Sequence, residues 1–363
     1  MKKKGMAILL AVTMLSMTAC GAKDVESEGG EQINLQMVNC AFGIQFCEVE
    51  KEGAQAAAAE LGNVNVSYNA PQQASDIQAQ VDMFNAAINQ EPDALLIAAL
   101  DPGAVTQSLQ TAKDKGIPVI AFDVSLPDAP EGSVAATVHT NNVTAAALAA
   151  EHMWDSDKLK AALENAAADR PLVISVISPD ATTNTHADRI QGFSDKMFEL
   201  ADAAYPGAVE IKGSVNYEKA ASSDAVVVIS VAIAATSSDQ DIRNCAQSVL
   251  GEENLGGIFC VNEAAVTGLL SATTDGTDLD PESGSYKNVT VVGFDAGATL
   301  KNAVKSGWFY GAVAQNPYDI GYQAVQQAVK LSGGGQAADV DAEAKWYDAS
   351  NMEDDDISIL LYD

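Results

Sequence analysis

The chain has 363 residues, and its 50 Asp and Glu outweigh 20 Lys and Arg to give a formal net charge of −30. Such a chain lacks the basic surface that a nucleic-acid backbone needs, and its overall field repels anionic ligands. With 47% hydrophobic residues it is globular, and its length suits two lobes better than one core. Its arginines are Arg170, Arg189 and Arg243, so bidentate clamps for phosphate or carboxylate are scarce. The cysteines are Cys20, Cys40, Cys47, Cys245 and Cys260. Their spacing fits no metal-ligand pattern, and neither a metal nor a cofactor is expected. The last four are expected as free thiols, with Cys40–Cys47 the pair to form if one bridge exists.

In chain order, Lys2, Lys3 and Lys4 open a positive start, and an apolar run follows from Met6 to Met17. The run is about a dozen residues, short of the roughly 20 that span a bilayer. The layout is that of a secretory signal. Met17-Thr18-Ala19-Cys20 resembles the lipobox of bacterial lipoproteins. That resemblance implies a signal peptide over 1–19, lipid on the Cys20 thiol and a flexible tether over 20–32. Buried parallel strands are predicted at 33–39, 64–68, 94–98, 117–122 and 134–139, with helices at 47–61, 74–89 and 103–115. Ser75-Asp76-Ile77-Gln78 reads as a capping box. A second series follows: helix 143–166, strand 171–177, helix 186–203, strand 225–234, helix 239–250, strand 257–261, helix 263–272, strand 288–294, helix 297–305, strand 309–314 and helix 318–331. The stretch between Ala204 and Asp224 reads as a surface excursion. Trp308 and Tyr310 read as core packing, and the acidic run Glu353 to Asp356 as a solvated tail. Two βα series predict two doubly wound parallel-sheet lobes, and in such sheets ligands bind beyond the carboxyl ends of the strands.

Polar residues gather where the apolar strands end. Asp123 follows Phe122, Asn262 and Glu263 follow Val261, Asp295 follows Phe294, and Gln315 follows Ala314. Glu52-Gly53-Ala54-Gln55, Gly116 to Asp123, Arg189-Ile190-Gln191-Gly192-Phe193, Phe259 to Glu263, Val291 to Asp295 and Ala314-Gln315 through Ile320-Gly321 together resemble the ribose- and galactose-type periplasmic binding proteins of ABC importers. The resemblance covers roughly 33–350. It implies the type I fold, with a first lobe of 33–140 plus 316–345 and a second of 141–315 plus 346–363. Three strands form a hinge, near Thr140-Asn141, Gln315-Asn316 and Lys345-Trp346. Carried over by motif, Asp123 binds ligand from the first lobe, Asn262, Asp295 and Gln315 bind from the second lobe and hinge, and Phe46 covers the ligand. Asp, Asn and Gln suit sugar hydroxyls, and an aromatic ring suits a sugar's apolar face. Taken alone, Asn262 or Asp295 also reads as a strand-end cap.

Several positions depart from the family pattern. Val124 and Ala187 stand where arginines are usual, Cys47 where a second aromatic is usual, and Ala98 where an asparagine is usual, with Asp101 close by as a substitute. His186, with Asn184 and Thr185, is a candidate to fill the space the arginine leaves. With three aspartates (Asp101, Asp123, Asp295) and the family arginines absent, the expected ligand is neutral or cationic, most simply a monosaccharide or a nucleoside-like molecule. No nucleophile elbow, P-loop, dinucleotide fingerprint or His-rich metal set is present, so an enzyme is not expected. The resemblance implies a monomeric, lipid-anchored, extracytoplasmic solute-binding protein that closes on its ligand and serves an ABC permease. The alternative is a lipoprotein sensor presenting its ligand to a membrane receptor.

Overall fold

The computed structural model describes residues 32–181 and 183–362. The expected signal, Cys20 and all of the expected tether but its last residue lie outside them. The elements run β1 (Ile33–Val38), α1 (Gln45–Leu61), β2 (Val64–Asn69), α2 (Ile77–Ile88), β3 (Ala94–Ile97), α3 (Thr106–Asp114), β4 (Val119–Phe122) and β5 (Ala136–His139). Next come α4 (Asn142–Asp155), α5 (Asp157–Leu163), β6 (Leu172–Ser178), α6 (Asn184–Ala204), β7 (Val209–Lys212), β8 (Val227–Ile233), α7 (Asp239–Leu250), β9 (Leu255–Cys260) and α8 (Glu263–Ala272). The chain finishes with β10 (Thr290–Phe294), α9 (Ala298–Lys305), β11 (Gly311–Ala314), α10 (Pro317–Ser332), β12 (Val340–Asp341), β13 (Lys345–Tyr347) and α11 (Asp355–Ser358).

Two sheets result. The first is ordered β12-β5-β4-β3-β1-β2 and the second β13-β11-β10-β9-β6-β8-β7. Their central runs share one pattern. In order of appearance the strands lie 2-1-3-4-5 in each sheet, the doubly wound arrangement whose switch point falls between the first and third strands. The sequence explains why these are interior strands. ALLI in β3, VIAF in β4 and LVISVIS in β6 are buried at every position, as strands covered by helices on both faces must be. Successive side chains then serve opposite faces. Leu96 packs with Leu35, Phe122 and Val325 on one side of the first sheet. Leu95 and Ile97 pack with Phe84, Ile88 and Leu109 on the other.

Each lobe closes its cleft-side helix pair through glycine. A Cβ on Gly53 of α1 would lie 1.9 Å from the Tyr318 carbonyl oxygen of α10, and one on Gly321 would lie 1.8 Å from the Glu50 carbonyl oxygen. In the second lobe a Cβ on Gly192 of α6 would lie 2.1 Å from the Val143 carbonyl oxygen of α4. Only glycine permits backbones this close.

The chain passes between the sheets after β5, after β11 and between β12 and β13. The third passage falls slightly before the expected Lys345-Trp346, because Lys345 already pairs with Ala314 in the second sheet. The expected helix 143–166 is two helices. Ser156 leaves helical geometry and its Oγ accepts from the Leu159 amide, starting α5 anew. The expected excursion after Ala204 contains β7, an edge strand parallel to β8. The capping box before α2 does not form. Asp76 makes no side-chain cap, and Gln78 donates to Asp82 instead. Tyr310 is exposed rather than core, lying against the buried Trp346.

Candidate functional site

A cavity of about 360 Å³ lies between the lobes, at the lower end of the roughly 300–1,000 Å³ typical of small-molecule sites. A larger groove of about 800 Å³ lies on the second lobe, lined by residues such as Lys158, Arg170 and Asn254. Leu172 and Leu255, the first residues of β6 and β9, also line it. It therefore sits at the opposite strand ends from those where doubly wound sheets place ligands. The interlobe cavity is at the carboxyl ends.

Its first-lobe wall is built by two loops. Cys40, in the loop after β1, and Cys47, in the first turn of α1, form a disulfide with a Cα–Cα distance of 6.4 Å. This corrects the expectation of free thiols there, while Cys245 and Cys260 are free, as expected. Asn39 fixes the same loop, donating to the Cys47 carbonyl at 3.0 Å and accepting from the Cys40 amide at 2.6 Å. Both cysteines, Ile44, Gln45 and Phe46 face the cavity. Where the family usually has a second aromatic, the disulfide itself forms wall. Beyond β4, Asp123 takes a positive φ of 61°. Non-glycine residues held this way cost energy and cluster at functional sites.

The second-lobe wall is its counterpart. Asp295, just after β10, has φ 85°. Its carboxylate accepts from Gln315 Nε2 at 2.7 Å and from the Glu263 amide at 3.2 Å. The Arg189 guanidinium stands 3.9 Å away. Asn262 caps α8 by accepting from the Ala265 amide at 3.0 Å, so it is a strand-end cap and a cavity residue at once. Behind it, His186 sits with Nε2 3.1 Å from Asn262 Nδ2 and Nδ1 3.0 Å from Asp180.

Of the expected site residues, Phe46, Asp123, Asn262, Asp295 and Gln315 all line the cavity. Asp101 and His186 do not. Asp101 is exposed, and its Oδ1 accepts from the amides of Gly103 and Ala104, closing its own turn. His186 is spent on Asp180 and Asn262, where it positions a lining residue. Sequence reasoning missed Arg189, Glu263 and Tyr362 as lining residues. Arg189 was legible as an arginine on a stripe with Ile190, Phe193 and Met197, all buried in α6. It donates to Asn142 Oδ1 at 2.8 Å and to the Val261 carbonyl at 3.0 Å, and lies 3.8 Å from the centre of the Phe294 ring. The cleft therefore holds an arginine beside its carboxyls, although Val124 and Ala187 stand where the family's arginines are usual.

Electrostatics follow from burial. Burial, with the negative charge of Asp295 adding to it and Arg189 opposing, pushes Asp123 up to about 7. Glu263 is likewise pushed up to about 7, first by burial and then by Asp295. Behind Asp123, the fully buried Glu50 is pushed well above the carboxylate range by burial and by Asp123. Burial thus weakens the negative charge of the Asp123 and Glu263 carboxyls near neutral pH, which suits hydroxyls that both donate and accept. The described residues offer one group of metal-ligand types, Cys40, Cys47 and Glu50, and both sulfurs in it are tied up in the disulfide.

Two doubly wound lobes enclosing one cavity, with carboxyl and amide side chains beside aromatic rings, define a two-lobed solute-binding fold. Residues 35–336 match the periplasmic binding protein domain, and the chain belongs to that family. Among its relatives, the ribose import binding protein of Bacillus subtilis is 24% identical over 90% of this chain and 92% of that protein. A solved Brachyspira murdochii structure, described as an ABC transporter, LacI family transcriptional regulator, is 31% identical. Its TM-score is 0.79 over 92% of this chain and 99% of that one. An ABC transporter solute-binding protein from Agrobacterium vitis, solved with D-fucose bound, has a TM-score of 0.69 at 23% identity, covering 91% of this chain and all of that one. No helix of the described residues is long and apolar enough to cross a membrane.

Proposed function

We propose that this chain is an exported solute-binding protein that captures a sugar between its lobes and hands it to an ABC permease. The observation that carries the reading is the cavity itself. Asp123 from one lobe and Asn262, Asp295 and Gln315 from the other converge on one volume beside Phe46. Hydroxyls of a monosaccharide would be shared among these groups, and the Phe46 ring would cover the apolar face. Contacts from both lobes favour the closed form over the open one, which gives the permease a state to recognise. The chain passages after β5, after β11 and before β13 serve as the hinge. The ribose, xylitol and fructose named for the curated relatives support the same ligand class.

The test is a thermal-shift panel of pentoses, hexoses, polyols, sugar acids and sugar phosphates. A neutral sugar is expected to raise the melting temperature. Stabilisation by sugar acids or phosphates alone would refute the neutral-ligand reading. The N-terminal motif supports lipid attachment at Cys20. Cys20→Ser is expected to release the protein from the membrane fraction, and an unchanged membrane-bound fraction would remove the anchor.

A further inference from the structure

The acidic run Glu353 to Asp356 is exposed, as expected, but the chain does not leave the protein there, and α11 turns it back. Met352, Ile357 and Leu360 are buried in the second-lobe core, with Leu361 and Tyr362 packed against it. Lys345 holds Asp356 at 2.8 Å. This anchoring delivers Tyr362 into the interlobe cavity. Its hydroxyl lies by the Ala296 backbone, with Asp295, Glu263 and Tyr347 near it. Its ring meets Phe46 edge to face, with centroids 6.2 Å apart and planes at 77°.

Phe46 belongs to the first lobe and Tyr362 packs on the second. Their contact therefore crosses the cleft. It forms an apolar corner of the cavity that Asp123, Asn262, Asp295 and Gln315 also line. We propose that Tyr362, carried in by the C-terminal segment, is a ligand-binding residue. In this role it completes with Phe46 a corner that receives the apolar face of the sugar and that exists only when the lobes are closed. The proposal rests on the sugar-binding reading. It gives the segment from Met352 a task in the cleft, and it supplies a second ring where Cys47 has removed one. Edge-to-face aromatic pairs carry interaction energy beyond their buried area. An opening motion must break this one.

The experiment is calorimetric titration with the best binder from D-ribose, D-fructose, D-fucose, D-tagatose, D-galactose and xylitol. It uses wild type, Tyr362→Ala, Tyr362→Phe, Phe46→Ala and the double alanine variant. Tyr362→Ala is expected to weaken binding roughly ten- to a hundred-fold, whereas Tyr362→Phe, which keeps the ring, stays within about three-fold. The double variant is expected to lose less than the two single losses multiplied, because the rings act as a pair. Wild-type affinity in Tyr362→Ala overturns the proposal. If Tyr362→Ala does not fold, Tyr362→Leu is read by the same criteria. If wild type binds none of these compounds, the sugar reading falls. The corner is then judged by native mass spectrometry of the freshly purified protein. A co-purified small molecule lost in Tyr362→Ala but kept in Tyr362→Phe upholds Tyr362, and equal retention in both overturns it.

Discussion

Asp123 and Asp295 occupy the same place in the two lobes and live differently. Each follows the fourth strand of its 2-1-3-4-5 series, each has a positive φ, and each donates its backbone amide to the next strand, to Val138 and Val313 at 2.9 Å. The side chains part there. Asp295 is held by Gln315, by the Glu263 amide and by nearby Arg189. Among the described residues no donor hydrogen-bonds the Asp123 carboxyl, and burial drives it towards the protonated form. One fold position thus serves two ends. Asp295 is a hub that organises its wall, and the Asp123 carboxyl keeps its hydrogen-bonding capacity open to the cavity.

The comparison breaks first at Asp295. Its replacement by alanine leaves Gln315 without its acceptor, the α8 N-terminus without its carboxylate and buried Arg189 without its counter-charge. A loss of about 3 kcal/mol in the ligand-free protein is expected, together with weaker sugar binding. Urea unfolding and calorimetry read the two separately. Unchanged apo stability would show that Asp295 is no hub. The sequence alone offered ligand contact or cap as alternatives; the geometry shows the cap, in the bond from the Glu263 amide, and puts the same residue on the cavity wall.

The next effect lies in the first-lobe loop. Cys40→Ser with Cys47→Ser removes a short closed loop, for which about 2 kcal/mol is expected. Phe46 then loses its fixed approach to the cleft, and affinity should fall even where the protein stays folded. Equal sugar affinity in the presence and absence of reductant would show that the bridge does not position Phe46.

Asp123 sharpens the contrast through pH. Its folded-state value is raised from 3.8 to about 7, so between these values the folded chain binds more proton than the unfolded chain. Stability therefore falls as pH rises through that window. Asp123→Asn should flatten part of this fall and make the ligand-free protein more stable at pH 8, while weakening sugar binding. Melting curves from pH 4 to 8 that superimpose for variant and wild type would contradict the assignment. The smallest effect is expected at Asp101. Its carboxylate serves only its own turn among the described contacts, so Asp101→Ala should leave sugar affinity unchanged and cost under about 1 kcal/mol.

The sequence by itself determined the alternation of buried strands and helices, because strands covered on both faces must be apolar throughout and their ends must turn polar. ALLI, VIAF and LVISVIS could be placed from their own residues, and Asp123, Asn262, Asp295 and Gln315 from their position just beyond such runs. Gly53, Gly192 and Gly321 stood in the quoted motifs, but only packing showed what they do. β7 escaped notice because VEIK is short and half exposed at a sheet edge. The break at Ser156 escaped because a helical period continues on both sides of it. Tertiary structure alone decided that Cys40 meets Cys47, that Arg189 turns inward to the cleft and that His186 is consumed by Asp180. It also decided that a segment more than 300 residues from Phe46 in the chain returns Tyr362 to it. The division has a physical cause. Periodicity and capping act between neighbours in sequence, whereas a binding cleft is assembled from strand ends and a returning tail whose proximity is set by packing across the whole chain.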